Sequence, residues 1–376
     1  MELLAGGFRL CRGPCRVTTC AVDLCYRAGP RALQTLRQQG LSADTLRALI
    51  APAAGPKWLA VAGMDRALMA SGLLSERRRP LLLLGASAGA WRSMALCARD
   101  PQATHRALAH GYIRQRFARD VGNDEVSAAY RELLAEVFPD SDAEHALGHA
   151  ELELAVIAVR ARGATGSASR PLQMLGMGAA AALNLLGSRA AGLFFERTLF
   201  HRRQGSAAHP LLQPLTAARV QLEGDNIRQA LLASGTVPLY MAPVRDIAGA
   251  PTGGYIDGGI TDYHINQPLG TGGDGVALLF LHQRRLSPTW FDKQLPFRRP
   301  RAPWLEDLLL VHPSDAWISS LPGGRVPTRD DFLDFVDAPE ERIERWTQAL
   351  GQSEALGEQL LEDLQSGRFV DRLQPL

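Results

Sequence analysis

The chain has 376 residues, 46% of them hydrophobic, and its 41 Lys plus Arg against 39 Asp plus Glu leave a formal net charge of +2. That length and apolar content can bury one large α/β domain. A charge so close to zero gives no electrostatic basis for nucleic-acid binding, so no nucleic-acid partner is expected.

Residues 1–25 read as an N-terminal extension, poorly ordered as termini commonly are. Cys11, Cys15, Cys20 and Cys25 fall within it and Cys97 stands alone; the spacings fit neither a zinc ribbon nor a C-x-x-C pair, so no metal and no cofactor is expected. Arg9, Arg12, Arg16 and Asp23 interrupt any secretory apolar core, and a cytoplasmic protein with reduced thiols is the expectation. Pro30 to Gln38 has helical spacing and Gly40 ends it. Leu46 to Ile50 reads as the first strand, Ala51 to Trp58 as a small-residue loop, and Leu59 to Leu68 as a helix. Arg77-Arg78-Arg79 reads as a solvated loop cluster, and Arg298-Arg299-Pro300-Arg301 likewise.

Leu81-Leu82-Leu83-Leu84 fits a strand buried on both faces. After it, Ala90, Trp91, Met94, Ala95 and Ala98 recur at helical spacing. Alternating strands and helices predict a three-layer α/β/α fold with a mostly parallel central sheet. Glu151 to Val159 reads as another strand and 163–170 as a loop. Residues 171–200 are apolar, yet Arg170, Arg189, Glu196 and Arg197 leave too short a run for an easy membrane span, which needs about 20 residues. A core helical hairpin, a lid over an apolar pocket and an interfacial membrane helix all fit this stretch. Asn226 to Ala233 is helical. Met241 to Ile247, Tyr255-Ile256 and Val276 to Leu281 read as strands, and Asp330 to Phe335 and Pro339 to Gln365 as helices. The expected organisation is a domain over 26–338, with a helical cap or insertion at about 165–215, and a helical segment over 339–376 packed on it.

The turn between the Leu81 strand and the following helix is Gly85-Ala86-Ser87-Ala88-Gly89. A G-x-S-x-G turn strains its serine so that the hydroxyl stands clear of both elements, while Gly85 and Gly89 let strand and helix approach. Ser87 is therefore the candidate nucleophile. A serine needs a base within reach. Among nine histidines, His264, His282 and His312 follow the serine, as a Ser-His-Asp triad would require, and none has an obvious catalytic setting. The other candidate base is Asp257, at a strand end before Gly258 and Gly259, a loop made for close backbone approach. Asp262 and His264 share that loop and could tune it.

These pieces resemble the patatin-like phospholipases. Gly85 to Gly89 matches the nucleophile turn of that family, Ala233-Ser234-Gly235-Thr236-Val237-Pro238 through Pro243-Val244 resembles its A-S-x-x-x-P…P-V segment, and Tyr255-Ile256-Asp257-Gly258-Gly259 its D-G-G block. The resemblance covers about residues 26–290. It implies a patatin-like hydrolase domain and a Ser87–Asp257 dyad that hydrolyses lipid acyl esters through an acyl-Ser87 intermediate. It also implies an oxyanion loop, usually G-G-G-x-R/K-G. The sequence here is Ala53-Ala54-Gly55-Pro56-Lys57, with alanines at two glycine positions, leaving N–H donors at Ala54, Gly55 and Lys57, with Ala88 as a further one. A lipid ester is the expected partner, with peripheral membrane contact through 171–200. The rival readings are an α/β-hydrolase triad through His282 or His312, a lipid-binding relative without turnover, and a phosphate-binding module. The last lacks both the G-K-[ST] ending and the G-x-G-x-x-G pattern.

Overall fold

A computed structural model describes residues 23–187, 190–202, 209–264, 267–268, 271 and 273–376. Its strands are β1 (Leu24–Ala28), β2 (Leu46–Ala51), β3 (Leu81–Ala86), β4 (Leu152–Ala161), β5 (Phe195–His201), β6 (Ala218–Gln221), β7 (Gly254–Asp257), β8 (Val276–Phe280), β9 (Leu308–Pro313) and β10 (Leu373–Pro375). The helices are α1 (Pro30–Gln39), α2 (Ala62–Ala70), α3 (Ala88–Leu96), α4 (Pro101–Arg114), α5 (Asn123–Val137), α6 (Asp140–Gly148), α7 (Arg170–Leu186), α8 (Ile227–Gly235), α9 (Asp315–Ser320), α10 (Asp331–Asp334) and α11 (Pro339–Ser366).

The strands form one sheet in the order β10-β1-β9-β8-β2-β3-β4-β5-β6, with β7 attached to β4. The central run β9-β8-β2-β3-β4 is parallel throughout. Helices flank it in the three-layer α/β/α arrangement expected from the alternation of elements. Alternate residues of β3 divide between two cores, as a period of two requires. Leu81 and Leu83 join a large cluster with Met64, Met94, Leu108, Leu133 and Leu231 from five helices. Leu82 and Leu84 join Ile157, Leu279, Leu211, Leu212 and Leu286 in a second cluster. Burying each such leucine stabilises the fold by about 1.5–3 kcal/mol.

One edge of β4 carries two strands in succession. Residues 152–157 pair with β3 in parallel, ending at Ala86 opposite Ile157. Residues 158–161 pair with the antiparallel β7, ending at Asp257 opposite Ala158. The other edge pairs with β5 over 155–161. The C-terminal ends of β3 and β7 therefore meet head to head at Ile157–Ala158.

Several expectations need correction. β1 precedes the Leu46 strand, and it contains Cys25, so the boundary placed at residue 25 falls inside a sheet strand. Cys11, Cys15 and Cys20 lie outside the described residues. The 165–215 segment, expected to be a helical cap or insertion, is helical only in part: α7 lies in it, but β5 joins the sheet, so a helical hairpin over 171–200 is excluded. Met241 to Ile247 forms no strand, only a single bridge from Val244 to Tyr255.

α11 crosses α2 at two glycines. A Cβ on Gly63 would meet the Ser353 carbonyl oxygen at 1.9 Å, and one on Gly357 would meet the Gly63 oxygen at 2.3 Å. The Gly63 N–H donates to Ser353 Oγ at 3.1 Å across this contact. Gly357→Val is expected to lower stability by about 1–3 kcal/mol through overpacking, read as a lower urea midpoint. An unchanged midpoint would contradict so close a crossing.

Candidate active site

Ser87 follows the last residue of β3 and caps α3, with φ 56° and ψ −135°. A non-glycine residue there carries strain of order 1–3 kcal/mol, so the surroundings must hold it. Three features do so. A Cβ on Gly89 would meet the Ala51 carbonyl oxygen at 2.0 Å and one on Gly85 would meet Ala90 Cα at 2.5 Å, so neither flank tolerates a side chain. The Ser87 N–H donates to Ser234 Oγ at 2.8 Å. Ser234 Oγ in turn donates to the Ile157 carbonyl oxygen at 2.7 Å, tying the turn to β4.

Ser87 Oγ donates directly to Asp257 Oδ2 at 2.7 Å. The other oxygen, Oδ1, accepts the Gly259 N–H at 2.7 Å, which fixes the carboxylate plane. Gly258 sits where a Cβ would strike the Ile157 oxygen at 2.1 Å, and one on Gly259 would meet Ala53 Cβ at 2.6 Å. Both side chains are nearly sealed, Ser87 6% and Asp257 8% exposed. Burial raises the Asp257 pKa above the usual carboxylate value; the Ser87 hydroxyl, the Gly259 N–H and the Arg329 charge pull the other way. A raised pKa makes a carboxylate a stronger base.

The Ala53–Lys57 loop borders the same cavity as this pair. Gly55 has φ +54°, a left-handed conformation that favours glycine. Ala53 and Ala54 do not have positive φ, so the alanines stand where glycine's freedom is unused. Pro56 has no N–H. Ala88 is the first residue of α3, where helix N–H groups lack intrahelical acceptors.

Two cavities meet at Ser87. One, of about 200 Å³, is walled by Trp91, Tyr112, Phe117, Tyr130, Met241 and Phe332. The other, of about 590 Å³, is polar and holds Asp257, Lys57, Lys293 and Arg329. Gly55, Ser87, Tyr240 and Arg329 line both. Among the described residues, Lys57, Lys293 and Arg329 make no ion pair. Among the described residues, Lys57 hydrogen-bonds only the Tyr263 hydroxyl, at 3.4 Å. Burial, then the Arg329 charge, lowers the pKa of both lysines.

None of the histidines considered as bases lines either cavity at Ser87. His312 lies in β9, opposite Cys25 of β1, with Nδ1 against the Pro313 carbonyl at 2.8 Å. His264 Nδ1 accepts the Ser287 N–H at 2.9 Å. His282 packs edge-on to His264, with ring centroids 6.0 Å apart. Asp262, expected to tune the site, pairs with Arg197. No imidazole comes between Ser87 and Asp257. Sequence reasoning missed Arg329, Lys293 and the structural hydroxyl of Ser234. Only the last lay in a segment that the sequence had marked.

A patatin-like phospholipase family model matches residues 58–264, more than half of the chain, and the match includes both Ser87 and Asp257. No curated protein matches the chain.

Ser234→Ala should leave the Ser87 N–H unsatisfied in a buried site. The expected cost is about 1–3 kcal/mol of stability, measured by urea unfolding. A variant as stable as the wild type would contradict the anchoring role.

Proposed function

The chain belongs to the patatin-like phospholipase family, a family of lipid acyl hydrolases, and from that premise we propose that it cleaves carboxylic esters of lipids, phospholipase A fashion, with Ser87 as nucleophile and Asp257 as base. The observation that carries this reading is the 2.7 Å hydrogen bond from Ser87 Oγ to Asp257 Oδ2.

In the proposed reaction Ser87 Oγ attacks the ester carbonyl carbon while Asp257 takes its proton. The carbonyl oxygen becomes an oxyanion held by N–H groups of Ala54, Gly55 and Lys57, with Ala88 from the helix side. One such donor is typically worth about 2.7–4 kcal/mol in the transition state. As the tetrahedral intermediate collapses, the C–O bond breaks and the departing alcohol receives the proton from Asp257. Water then attacks the acyl-Ser87 carbonyl, with Asp257 again as base, and releases the fatty acid.

The two cavities support a division of the substrate. The aromatic one suits the acyl chain. The polar one, where Lys57, Lys293 and Arg329 together with Arg284 and Arg285 outnumber Asp257, Asp315 and Asp330, suits an alcohol portion that bears a phosphate. Of the 171–200 stretch expected to meet the membrane, α7 fits the same reading, because Arg170 at its start lines the aromatic cavity, whereas 195–200 lie in β5.

Long- and short-chain nitrophenyl esters test the reaction. Ser87→Ala should fall to background, and Asp257→Asn should lose about 10²–10⁴-fold in kcat. A folded His282→Gln or His312→Gln protein without activity would contradict the dyad in favour of a triad. The pH profile provides a second check. Asp257 must be ionised to act as base, so activity falls as pH drops through its raised pKa. The acid limb should therefore lie above the roughly 3.9 of an ordinary aspartate. Arg329→Gln removes a cation that holds that pKa down, so its limb should move to higher pH. A limb that stays fixed would contradict the charge coupling.

A further inference from the structure

α7 is inside out. The face turned to the protein carries Gln173, Gly176, Met177, Ala180 and Asn184. Its two polar side chains act as anchors: Gln173 Oε1 accepts the Leu239 N–H at 2.8 Å, and Asn184 Nδ2 donates to Asp292 Oδ1 at 3.0 Å. The outward face carries Leu172, Met174, Leu175, Leu185 and Leu186, with Leu175 70% and Leu186 84% exposed. Residues 170–186 contain no acidic side chain. Leu193 and Phe297 add to the exposed apolar surface, at 69% and 73%. A folded protein rarely leaves so many large apolar side chains together in water.

The Arg298–Arg301 cluster borders this surface. Arg298 donates to the carbonyl oxygens of Asn184 and Leu185 at the end of α7, at 3.1 and 3.3 Å. Arg298, Arg299 and Arg301 line one cavity of about 350 Å³ together with Trp304. Its aspartate, Asp292, is buried and already bonded to Asn184 and Thr289. Among the described residues no carboxylate pairs with these three arginines. An apolar helical face rimmed by arginine matches the boundary between acyl chains and anionic headgroups. At 17 residues, α7 is about 25 Å long. No described helix is long and apolar enough to cross a membrane, so α7 fits a helix lying in the plane of the interface. Pairing this face with a second copy of the chain would bring two basic clusters to one interface, which like charges oppose.

We propose that the outer face of α7, with Leu193 and Phe297, docks on an anionic lipid bilayer whose phosphates meet Arg298, Arg299 and Arg301. The proposal takes from the lipid-ester reading only the reason for docking. Through Gln173 and Leu239, α7 braces the wall of the aromatic cavity that opens at Ser87, so a docked α7 brings that cavity to the lipid.

Binding is measured on full-length Ser87→Ala protein, so that it does not depend on hydrolysis, by sedimentation with vesicles. Phosphatidylglycerol–phosphatidylcholine vesicles should be bound, and more weakly as salt rises from about 0.1 M to about 0.5 M. Pure phosphatidylcholine should bind about tenfold less. Adding Leu175→Glu with Leu186→Glu, or Arg299→Ser with Arg301→Ser, should lower partitioning about tenfold or more at an unchanged urea midpoint. If the glutamates impair folding, Leu175→Ser with Leu186→Ser should lower it in the same direction. Absence of binding to the anionic vesicles, or folded variants that bind like the parent, would overturn the proposal. So would a dimer in sedimentation velocity that the leucine variants dissolve, because the face would then belong to a second copy. None of these outcomes bears on whether the active protein hydrolyses esters.

Discussion

The site depends on one edge of one strand. β4 pairs with β3 up to Ile157 and with β7 from Ala158 onward, on the same side, because β5 occupies the other. Two strands running toward each other along a shared edge must stop where they meet. Each stops with the residue that matters: β3 gives way to Ser87, and β7 ends at Asp257. Their side chains are brought together by backbone pairing, which is stiffer than any pair of loops. The glycines follow from this. Ile157 presents its carbonyl oxygen to the junction, and Gly258 must have no side chain to pass it. Ser234 Oγ donates to the same oxygen and accepts the Ser87 N–H of the strained turn.

The same junction sets the electrostatics. Sealing a carboxylate between two strand ends favours its neutral form, and a hydroxyl and one N–H only partly restore the charged one. Burial thus makes Asp257 a stronger base than an aspartate in water. Arg329, from a loop outside the family-matched segment, moderates the burial effect from across the polar cavity. In the proposed reaction Arg329 would therefore both face the substrate and lower the pKa of Asp257.

Much of this was legible in the sequence. Four leucines followed by Gly85-Ala86-Ser87-Ala88-Gly89 can hardly be read except as a doubly buried strand, a tight turn and a helix, and Asp257 was marked by its two glycines. The parallel alternation of the core followed from the same periodicities. What was missed lies where local pattern and tertiary role diverge. β5 adjoins the apolar run of α7, so its strand character is masked in sequence, and only pairing with β4 reveals it. Pro243 breaks the Met241–Ile247 run, which keeps one bridge in place of a strand. α7 defeats the usual rule, since Gln173 and Asn184 are buried while Leu172, Leu175, Leu185 and Leu186 are exposed. Arg329 and Lys293 carry no local signature at all; their roles arise only from the cavity that they share with Ser87.

The central claim is that Asp257 activates Ser87 by direct contact. The most direct measurement is the second-order rate of fluorophosphonate labelling of Ser87, followed by intact mass across pH, in the wild type and in Asp257→Asn. The account predicts one adduct on the wild type, at a rate that rises with pH through a single ionisation. It predicts labelling at least about a hundredfold slower in Asp257→Asn, with that ionisation gone. Equal rates in the two proteins, or an ionisation that survives the substitution, would contradict it.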